Sequence, residues 1–250
     1  MFLTIDIGNS AVKFAIYDKE QLIHRFSIPT IVDYEPDELM FERFRYVAER
    51  FIRIDTVIAS SVVPSINSIV KNACREYLKV TPIFIDSSYD IGLKVTYSPE
   101  SSLGPDRFVG AYAAATKYGV PVIVCNFGTA TTVDLVSNEM VFLGGVIAPG
   151  VGTMAAALDQ KTANLPLVHI SKPEKILGNN TEEAIRSGVF YGSVGLAKQL
   201  IRSLSSQIED SPTVVATGGF SSILAPEIEE IDVVDQTLVL DGLRMIAEMI

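Results

Sequence analysis

The pattern of apolar and polar positions divides the chain into two halves of similar design. Each half opens with three short apolar runs, which are typical of β-strands joined by tight turns. Apolar stripes at helical spacing then alternate with further short strands, as in an α/β protein. The opening strands are predicted at residues 2–7, 11–17 and 22–27 in the first half, and at residues 120–126, 131–136 and 141–148 in the second.

The remaining elements follow from the apolar stripes and from the residues that interrupt them. Met40, Phe44, Val47 and Phe51 form the stripe of a helix predicted at residues 37–53, and Ser65 is the predicted N-cap of the next helix. Further helices are predicted at residues 65–78, 107–118, 151–158, 181–204, 221–230 and 242–249, with strands at 56–59, 82–85 and 213–217. This succession predicts two domains, residues 1–118 and 119–250, each with a mixed sheet.

Charge and composition narrow the class of protein. The 250 residues are 48% hydrophobic, 20% charged and carry a formal net charge of −10, so a basic nucleic-acid surface is not expected. The uncharged stretch 140–158 is interrupted by Gly and Pro, and the first residues lack the pattern of a signal peptide. We therefore expect a cytoplasmic protein without a membrane segment. Cys74 and Cys125 lie among apolar residues and are predicted to be buried free thiols.

One short phrase occurs twice, at Asp6-Ile7-Gly8-Asn9-Ser10 and at Asn126-Phe127-Gly128-Thr129-Ala130. In both copies an apolar strand ends on a carboxylate or amide, and a glycine-containing turn follows. Such turns expose backbone N–H groups that can hold an anion, and two of them favour a polyanion such as ATP. Asp6 would then suit Mg²⁺, directly or through water. The alternative is a pair of ordinary hairpin turns, with Lys13 either a phosphate ligand or a solvent-facing strand residue.

Two further segments allow both a functional and a structural interpretation. Gly104-Pro105-Asp106-Arg107 opens a predicted helix, so Asp106 is either a general base beside an anion ligand or a helix cap. Thr217-Gly218-Gly219 ends a strand, where it either admits a ring or ribose or forms a tight turn. The chain has no G-x-G-x-x-G and no P-loop motif, and its two histidines, His24 and His169, do not form a zinc pattern.

The ordered motifs resemble those of the type III pantothenate kinases, a family of the acetate and sugar kinase, Hsc70 and actin superfamily. The resemblance spans almost the whole chain. The motif D-x-G-N-[ST]-x-x-K corresponds to Asp6, Ile7, Gly8, Asn9, Ser10, Ala11, Val12 and Lys13. The other motifs are S-V-V-P at 61–64, G-x-D-R at 104–107, a second phosphate motif at 126–134, G-G-x-I-x-P-G at 144–150, T-x-x-L-P at 162–166, N-T-x-x-A-I-x-x-G at 180–188 and T-G-G at 217–219.

The resemblance implies a fold of duplicated ribonuclease H-like, actin-like ATPase domains. Each would be a mixed five-stranded sheet with flanking helices, and the active-site cleft would lie between them. The implied activity is ATP-dependent phosphorylation of pantothenate, the first step of coenzyme A biosynthesis. ATP, Mg²⁺ and a monovalent cation, K⁺ or NH₄⁺, are the implied cofactors, and a homodimer is the implied assembly.

The resemblance also implies roles for individual residues. Asp106 would accept the proton of the attacking hydroxyl, and Thr181 would reach the substrate from the neighbouring subunit. ATP would contact segment 6–13, Gly128, Thr129, Thr217, Gly218 and Gly219, whereas pantothenate would contact Tyr97, Gly104, Pro105, Asp106, Arg107 and Thr181.

One position departs from the family pattern. Asn126 stands where the family usually has an Asp that resembles a monovalent-cation ligand, so the cation requirement of this chain is an open question. Two alternatives to the pantothenate kinase remain at the level of sequence. One is a regulatory, non-catalytic ATP-binding protein, and the other is a kinase of another small alcohol.

Overall fold

The structure is a computed structural model, and it describes residues 1–30, 36–51 and 53–250. The chain divides into two units, the first formed by Met1–Ala113 with Leu238–Ile250 and the second by Ala114–Thr237. The predicted division at residues 118 and 119 differs from this one. The last helix packs against the first strand of the chain and therefore belongs to the first unit.

In the described part of the first unit, six strands and all helices but one begin before residue 113. They are β1 Phe2–Ile7, β2 Ala11–Asp18, β3 Gln21–Pro29, α1 Pro36–Arg50, β4 Thr56–Ser61, α2 Pro64–Ala73, a π-helical turn Cys74–Leu78, β5 Ile83–Phe84, β6 Lys94–Val95, a 3₁₀ turn Glu100–Ser102 and the start of α3 Pro105–Tyr118. The last helix of the chain, α7 Leu238–Ala247, completes this unit.

A mixed five-stranded sheet in the order β3-β2-β1-β4-β5 is the centre of the first unit. Strand β1 runs antiparallel to β2 and parallel to β4, which places Lys13 and Ser60 on either side of Asp6. One face of the sheet packs with α1 and α2 in a core that includes Ile5, Phe14 and Phe44. On the other face a small cluster joins Ala15, Tyr17 and Leu240 of α7, and the Tyr17 hydroxyl donates to Asp241 Oδ1 at 2.5 Å.

The second unit repeats this order of elements. They are β7 Val122–Phe127, β8 Ala130–Val136, β9 Val141–Pro149, α4 Val151–Lys161, α5 Thr181–Ser205, β10 Thr213–Thr217, α6 Ser221–Leu224, a 3₁₀ turn Ala225–Glu227 and β11 Val233–Val234. Its strands lie in the order β11-β10-β7-β8-β9, which matches the first sheet strand for strand. The predicted duplication is therefore present in the topology.

The core of the second unit lies on one face of its sheet, beneath α4 and α5. Phe127 and Val133 from the strands meet Val151, Phe190 and Leu224 from the helices, and all five are buried. The predicted buried thiols are confirmed, because both Cys74 and Cys125 are fully buried. Burial raises the pKa of the Cys74 thiol to about 12 and raises that of Cys125 as well. Neither sulfur is therefore a nucleophile near neutral pH.

Several predicted helix ends differ from the structure, and proline explains two of them. Because Pro64 and Pro105 are the first residues of α2 and α3, Ser65 is not an N-cap and α3 starts two residues before the predicted Arg107. Helix α1 ends at Arg50, and Ile52 of the predicted 37–53 helix lies outside the described residues. None of the described helices combines the length and the apolar character that a membrane crossing needs.

Candidate functional site

The first predicted phosphate turn joins β1 to β2 and is fixed by hydrogen bonds from both sides. The Gly8 N–H donates to the Ala11 carbonyl at 3.1 Å, which closes the turn. Thr30, at the end of β3, donates its hydroxyl to the Gly8 carbonyl at 2.7 Å and its N–H to the Ser10 carbonyl at 3.1 Å. Sequence analysis missed Thr30, because only the pairing of β3 with β2 brings it to the turn.

Asp6 lies directly beneath this turn and is only 6% exposed. It accepts a hydrogen bond from the Ser60 hydroxyl at 3.0 Å and forms an ion pair with Lys13 Nζ at 3.4 Å. Lys13 is thus on the same face as Asp6, and its side chain is 42% exposed. Ser60 carried no sequence signal, because its position depends on the parallel pairing of β1 with β4.

The acid groups of the chain limit how Mg²⁺ could be held. Among the described residues, no group of three or more His, Cys, Asp or Glu side chains is arranged to hold a metal ion. A single carboxylate such as Asp6 still fits Mg²⁺, which is commonly bound by one or two carboxylates, water and substrate phosphates. Asp6 is therefore the residue of the first turn that suits a nucleotide-bound Mg²⁺.

The predicted acceptor residues of the first unit come together at the start of α3. Asp106 is the second residue of this helix, so it lies in the first turn and is not the N-cap. Arg107 is 7% exposed, its guanidinium carbon lies 5.3 Å from the centre of the Tyr97 ring, and Nη1 donates to the Tyr97 hydroxyl at 3.4 Å. A Cβ atom on Gly104 would lie 2.7 Å from Asp106 Oδ1, so glycine leaves room for that carboxylate.

The second predicted phosphate turn, between β7 and β8, has the same backbone geometry as the first. The Gly128 N–H donates to the Ala130 carbonyl at 3.1 Å. The start of α4 fixes the turn from behind, since the Gly150 N–H and the Thr153 hydroxyl both donate to the Thr129 carbonyl, at 3.1 and 2.6 Å. Thr129 itself is exposed at the tip of the turn.

The segment Thr217-Gly218-Gly219, predicted either to admit a ring or ribose or to form a tight turn, lies beside this second turn. Gly218 has φ +94°, and a Cβ atom there would lie 2.5 Å from Asn126 Oδ1 and 2.6 Å from the backbone of Phe127. The Phe220 N–H donates to the Phe127 carbonyl at 3.1 Å. Only glycine at position 218 lets the backbone approach Asn126 and Phe127 this closely. Gly218 therefore joins two closely packed loops and does not simply end a strand.

Three residues in register form a neutral polar row across the second sheet. Thr217 of β10, Asn126 of β7 and Thr132 of β8 are direct neighbours, as Ser60, Asp6 and Lys13 are in the first sheet. Thr132 is 7% exposed, and its Oγ1 atom is buried without a hydrogen-bond partner among the described residues. Sequence analysis included Thr132 only as a member of the second phosphate motif at 126–134.

Thr181 is the first residue of α5 and lines an apolar groove between α4 and α5. The Asn180 side chain caps the helix by accepting from the Glu183 N–H at 2.9 Å, and Glu183 accepts in return from the Asn179 N–H at 2.8 Å. That second bond lowers the pKa of Glu183. The groove has a volume of about 770 Å³ and is lined by Pro149, Thr153, Met154, Ala157, Leu158, Leu165, Thr181, Ala184, Ile185, Gly188 and Val189.

The family model and the curated relatives that match this chain agree on one family. A family model described as type III pantothenate kinase matches residues 2–203. The type III pantothenate kinase of Brevibacillus brevis is 40% identical over 251 residues, covering 99% of this chain and 98% of the relative. That of Halalkalibacterium halodurans is 37% identical over 249 residues, covering 98% of both.

Solved structures extend the likeness to the fold alone. A protein from Sinorhizobium meliloti, provisionally described as a 2-dehydro-3-deoxygalactonokinase, matches with a TM-score of 0.63 at 11% sequence identity. The match covers 100% of this chain and 97% of that one. The duplicated mixed sheets with flanking helices, shared with that protein, confirm the predicted fold class.

Proposed function

The chain belongs to the type III pantothenate kinase family, and from this premise we propose that it transfers the γ-phosphoryl group of ATP to the primary hydroxyl of pantothenate. The reaction is the first step of coenzyme A biosynthesis. The observation that carries the proposal is the 40% identity over 99% of the chain, a span that covers the segments of the acceptor residues as well as the phosphate turns. A cytoplasmic location, as predicted from the sequence, is part of the proposal.

ATP is the proposed ligand of the two phosphate turns and of the loop at residues 217–219. Support comes from the matching hydrogen bonds of Gly8 and Gly128, which close both turns in the same way. Backbone N–H groups in such turns bind phosphate oxygens without a basic side chain. Mg²⁺ is proposed to bind through Asp6 and the phosphates of the nucleotide.

Asp106 is proposed as the general base. Its carboxylate lies in the first turn of α3, beside the buried Arg107. A hydroxyl that attacks a γ-phosphoryl group needs a carboxylate to orient it and accept its proton. Arg107, held against Tyr97, is proposed to bind the pantothenate carboxylate, with Gly104 and Pro105 as further contacts.

A homodimer is the proposed assembly, with Thr181 contacting the substrate of the partner subunit. The groove beside Thr181 is apolar along both helices, and Ile176 and Leu177 close by in the chain are 70% and 76% exposed. A contiguous exposed apolar surface is typical of a site that a second chain covers. A second copy of this chain is the proposed occupant.

The monovalent-cation site is proposed to be weak in this chain. Thr217 and Thr132 are in register with Asn126, and no carboxylate is. A cation bound to this row would therefore contact only neutral oxygen atoms. Ion–ion attraction is then missing, and K⁺ or NH₄⁺ would be held less tightly than by an aspartate.

The experiment that tests the function is an assay of purified protein with ATP, Mg²⁺ and a series of small alcohols. ADP release that depends on pantothenate, with phosphopantothenate identified by mass spectrometry, is the expected result. Turnover of another alcohol in preference to pantothenate would overturn the substrate assignment. Tight ATP binding without turnover of any alcohol would instead support a regulatory ATP-binding protein.

A further inference from the structure

Thr30 holds the first phosphate turn by replacing one of the turn's own hydrogen bonds. In a turn of this length the Gly8 carbonyl would ordinarily accept from the Ala11 N–H, three residues further on. Among the described residues that bond is absent, although the reverse bond, from the Gly8 N–H to the Ala11 carbonyl at 3.1 Å, is present. The Thr30 hydroxyl donates to the Gly8 carbonyl instead, at 2.7 Å. The Ala11 N–H is therefore left without a backbone acceptor in the part of the chain that the structure describes.

This contact also decides in which direction the turn presents its N–H groups. The carbonyl and the N–H of a trans peptide unit point in opposite directions. Thr30 holds two carbonyls, that of Gly8 through its hydroxyl and that of Ser10 through its N–H at 3.1 Å. The N–H groups of the same two peptide units belong to Asn9 and Ala11, and both therefore point away from Thr30. Backbone N–H groups that converge on one side of a turn bind anions.

The second phosphate turn is held in the same way by other residues. Gly150 follows the third strand of its unit, as Thr30 does, and its N–H donates to the Thr129 carbonyl at 3.1 Å. The hydroxyl comes from Thr153 in the first turn of α4, which donates to the same carbonyl at 2.6 Å. Each phosphate turn thus receives one backbone N–H and one threonine hydroxyl from a segment outside its own hairpin. Because the two threonines occupy different places in the repeat, the shared contact points to a common need of the two turns.

We infer that Thr30 is a positioning residue for nucleotide binding, acting through the first phosphate turn and not by contact with the nucleotide. Its hydroxyl fixes the Gly8 carbonyl, and the N–H groups of Asn9 and Ala11 then face the phosphoryl oxygens. The inference rests on the proposed ATP-dependent function. A turn that is ordered before binding loses less conformational freedom when the nucleotide binds, so the Thr30 hydroxyl contributes to affinity.

The test removes the hydroxyl of residue 30 and keeps its N–H. Thr30→Val has nearly the same shape as the wild type, and its affinity for a non-hydrolysable ATP analogue with Mg²⁺ is measured by calorimetry. We expect about fivefold weaker binding, because one hydrogen bond that orders the turn is lost. In the wild type the analogue should also slow the hydrogen exchange of the Asn9 and Ala11 amides, measured by NMR, because their N–H groups then donate to phosphoryl oxygens.

Two control variants separate the possible failures. Thr30→Ser keeps the hydroxyl and should retain most of the affinity. Ser206→Ala removes a hydroxyl bond to the Ser203 carbonyl, 2.8 Å long, at the end of α5 and should leave the affinity unchanged.

Three results would overturn the role of Thr30 while the kinase function stands, provided that the wild type binds the analogue. Thr30→Val could bind the analogue as tightly as the wild type does. Either control variant could lose as much affinity as Thr30→Val. The analogue could leave the exchange of both amides unchanged. If the wild type itself does not bind the analogue, both the function and this inference are wrong.

Discussion

At the scale of single residues, the carboxylate of Asp106 offers the most direct test of the proposed chemistry. Asp106→Asn should lower kcat by about 10²- to 10⁴-fold, because the amide cannot accept the proton of the attacking hydroxyl. The fold should persist, since the residue is in the first turn of α3 and does not cap it. Asp90→Asn, at an exposed carboxylate of the same unit, is the control and should keep full activity. A kcat of Asp106→Asn within a few-fold of the wild-type value would contradict the assignment of Asp106 as the general base.

Asn126 gives a second prediction at this scale. The natural protein should show little activation by K⁺ or NH₄⁺, whereas Asn126→Asp should create or strengthen it, because a carboxylate attracts the cation. Initial rates are measured against KCl at constant ionic strength in a buffer free of Na⁺ and K⁺. Asn72→Asp, on the exposed surface of α2, controls for added negative charge. Strong saturable activation of the natural protein that Asn126→Asp leaves unchanged would reject the prediction.

At the first phosphate turn, the residues that could be predicted from sequence are those within one hairpin. Asp6 and Lys13 belong to neighbouring strands joined by a tight turn, so the motif that contains them also fixes their pairing. Ser60 and Thr30 could not be predicted, because their contacts depend on how distant strands pair. Thr132 lies in the predicted phosphate motif at 126–134, but its pairing with Asn126 and its lack of a partner among the described residues are visible only in the structure.

At the scale of elements, a buried ion pair joins the end of α3 to the segment after β11. Asp235 is 8% exposed and accepts hydrogen bonds from Lys117 Nζ at 2.5 Å, from the Tyr118 hydroxyl at 2.9 Å and from the Thr237 N–H. Lys117→Met should destabilise the protein by about 3–5 kcal/mol, because it leaves a buried carboxylate without its cation. Urea unfolding measures the loss. Glu49→Gln, which removes the exposed pair of Glu49 with Arg45, should cost at most about 1 kcal/mol.

The same carboxylate makes stability depend on pH. Burial alone would raise the pKa of Asp235, but the hydrogen bonds from Lys117 and Tyr118 outweigh it and hold the pKa below its ordinary value. The stabilisation is therefore present at neutral pH and should be lost as the pH falls below about 4. Wild type and Asp235→Asn should differ in urea midpoint near pH 7 and converge in acid. A difference that persists unchanged in acid would show that the ionised carboxylate is not its source.

Helix starts were the least predictable feature of the elements. The sequence predicted the last helix only at residues 242–249. In the structure α7 starts at Leu238, where Leu238, Val239 and Leu240 are all buried. Tertiary packing overrides the weak local conformational preference of such residues, and no local sequence pattern predicts that packing.

At the scale of the whole molecule, the proposed homodimer predicts complementation between inactive variants. Asp106→Asn and Thr181→Arg should each be inactive alone, because every pocket then lacks one of the two residues. After subunit exchange in an equal mixture, about a quarter of the pockets would combine two intact residues, and activity should return to that extent. Sedimentation of the wild type at micromolar concentration supplies the control. A fully active monomer would contradict the assembly.

The domain division shows which part of the overall architecture could not be predicted from the sequence. The repeat of three strands predicted two halves correctly, since local hairpins carry that signal. It could not assign Leu238–Ile250, because the return of α7 to β1 is a contact between the two ends of the chain. Residues far apart in sequence leave no periodic pattern when they pack together.

The return of α7 has a consequence for how the protein is made. Domains generally fold as units while the ribosome is still extending the chain, starting from the N-terminus. Here the continuous unit Ala114–Thr237 is synthesised completely before the first unit is. The first unit still lacks α7, which follows Thr237 in the chain and packs against β1. Until then the surface around Tyr17 has no Leu240 to cover it. Residues 238–250 thus complete the unit whose first strand was synthesised before the whole of the second unit.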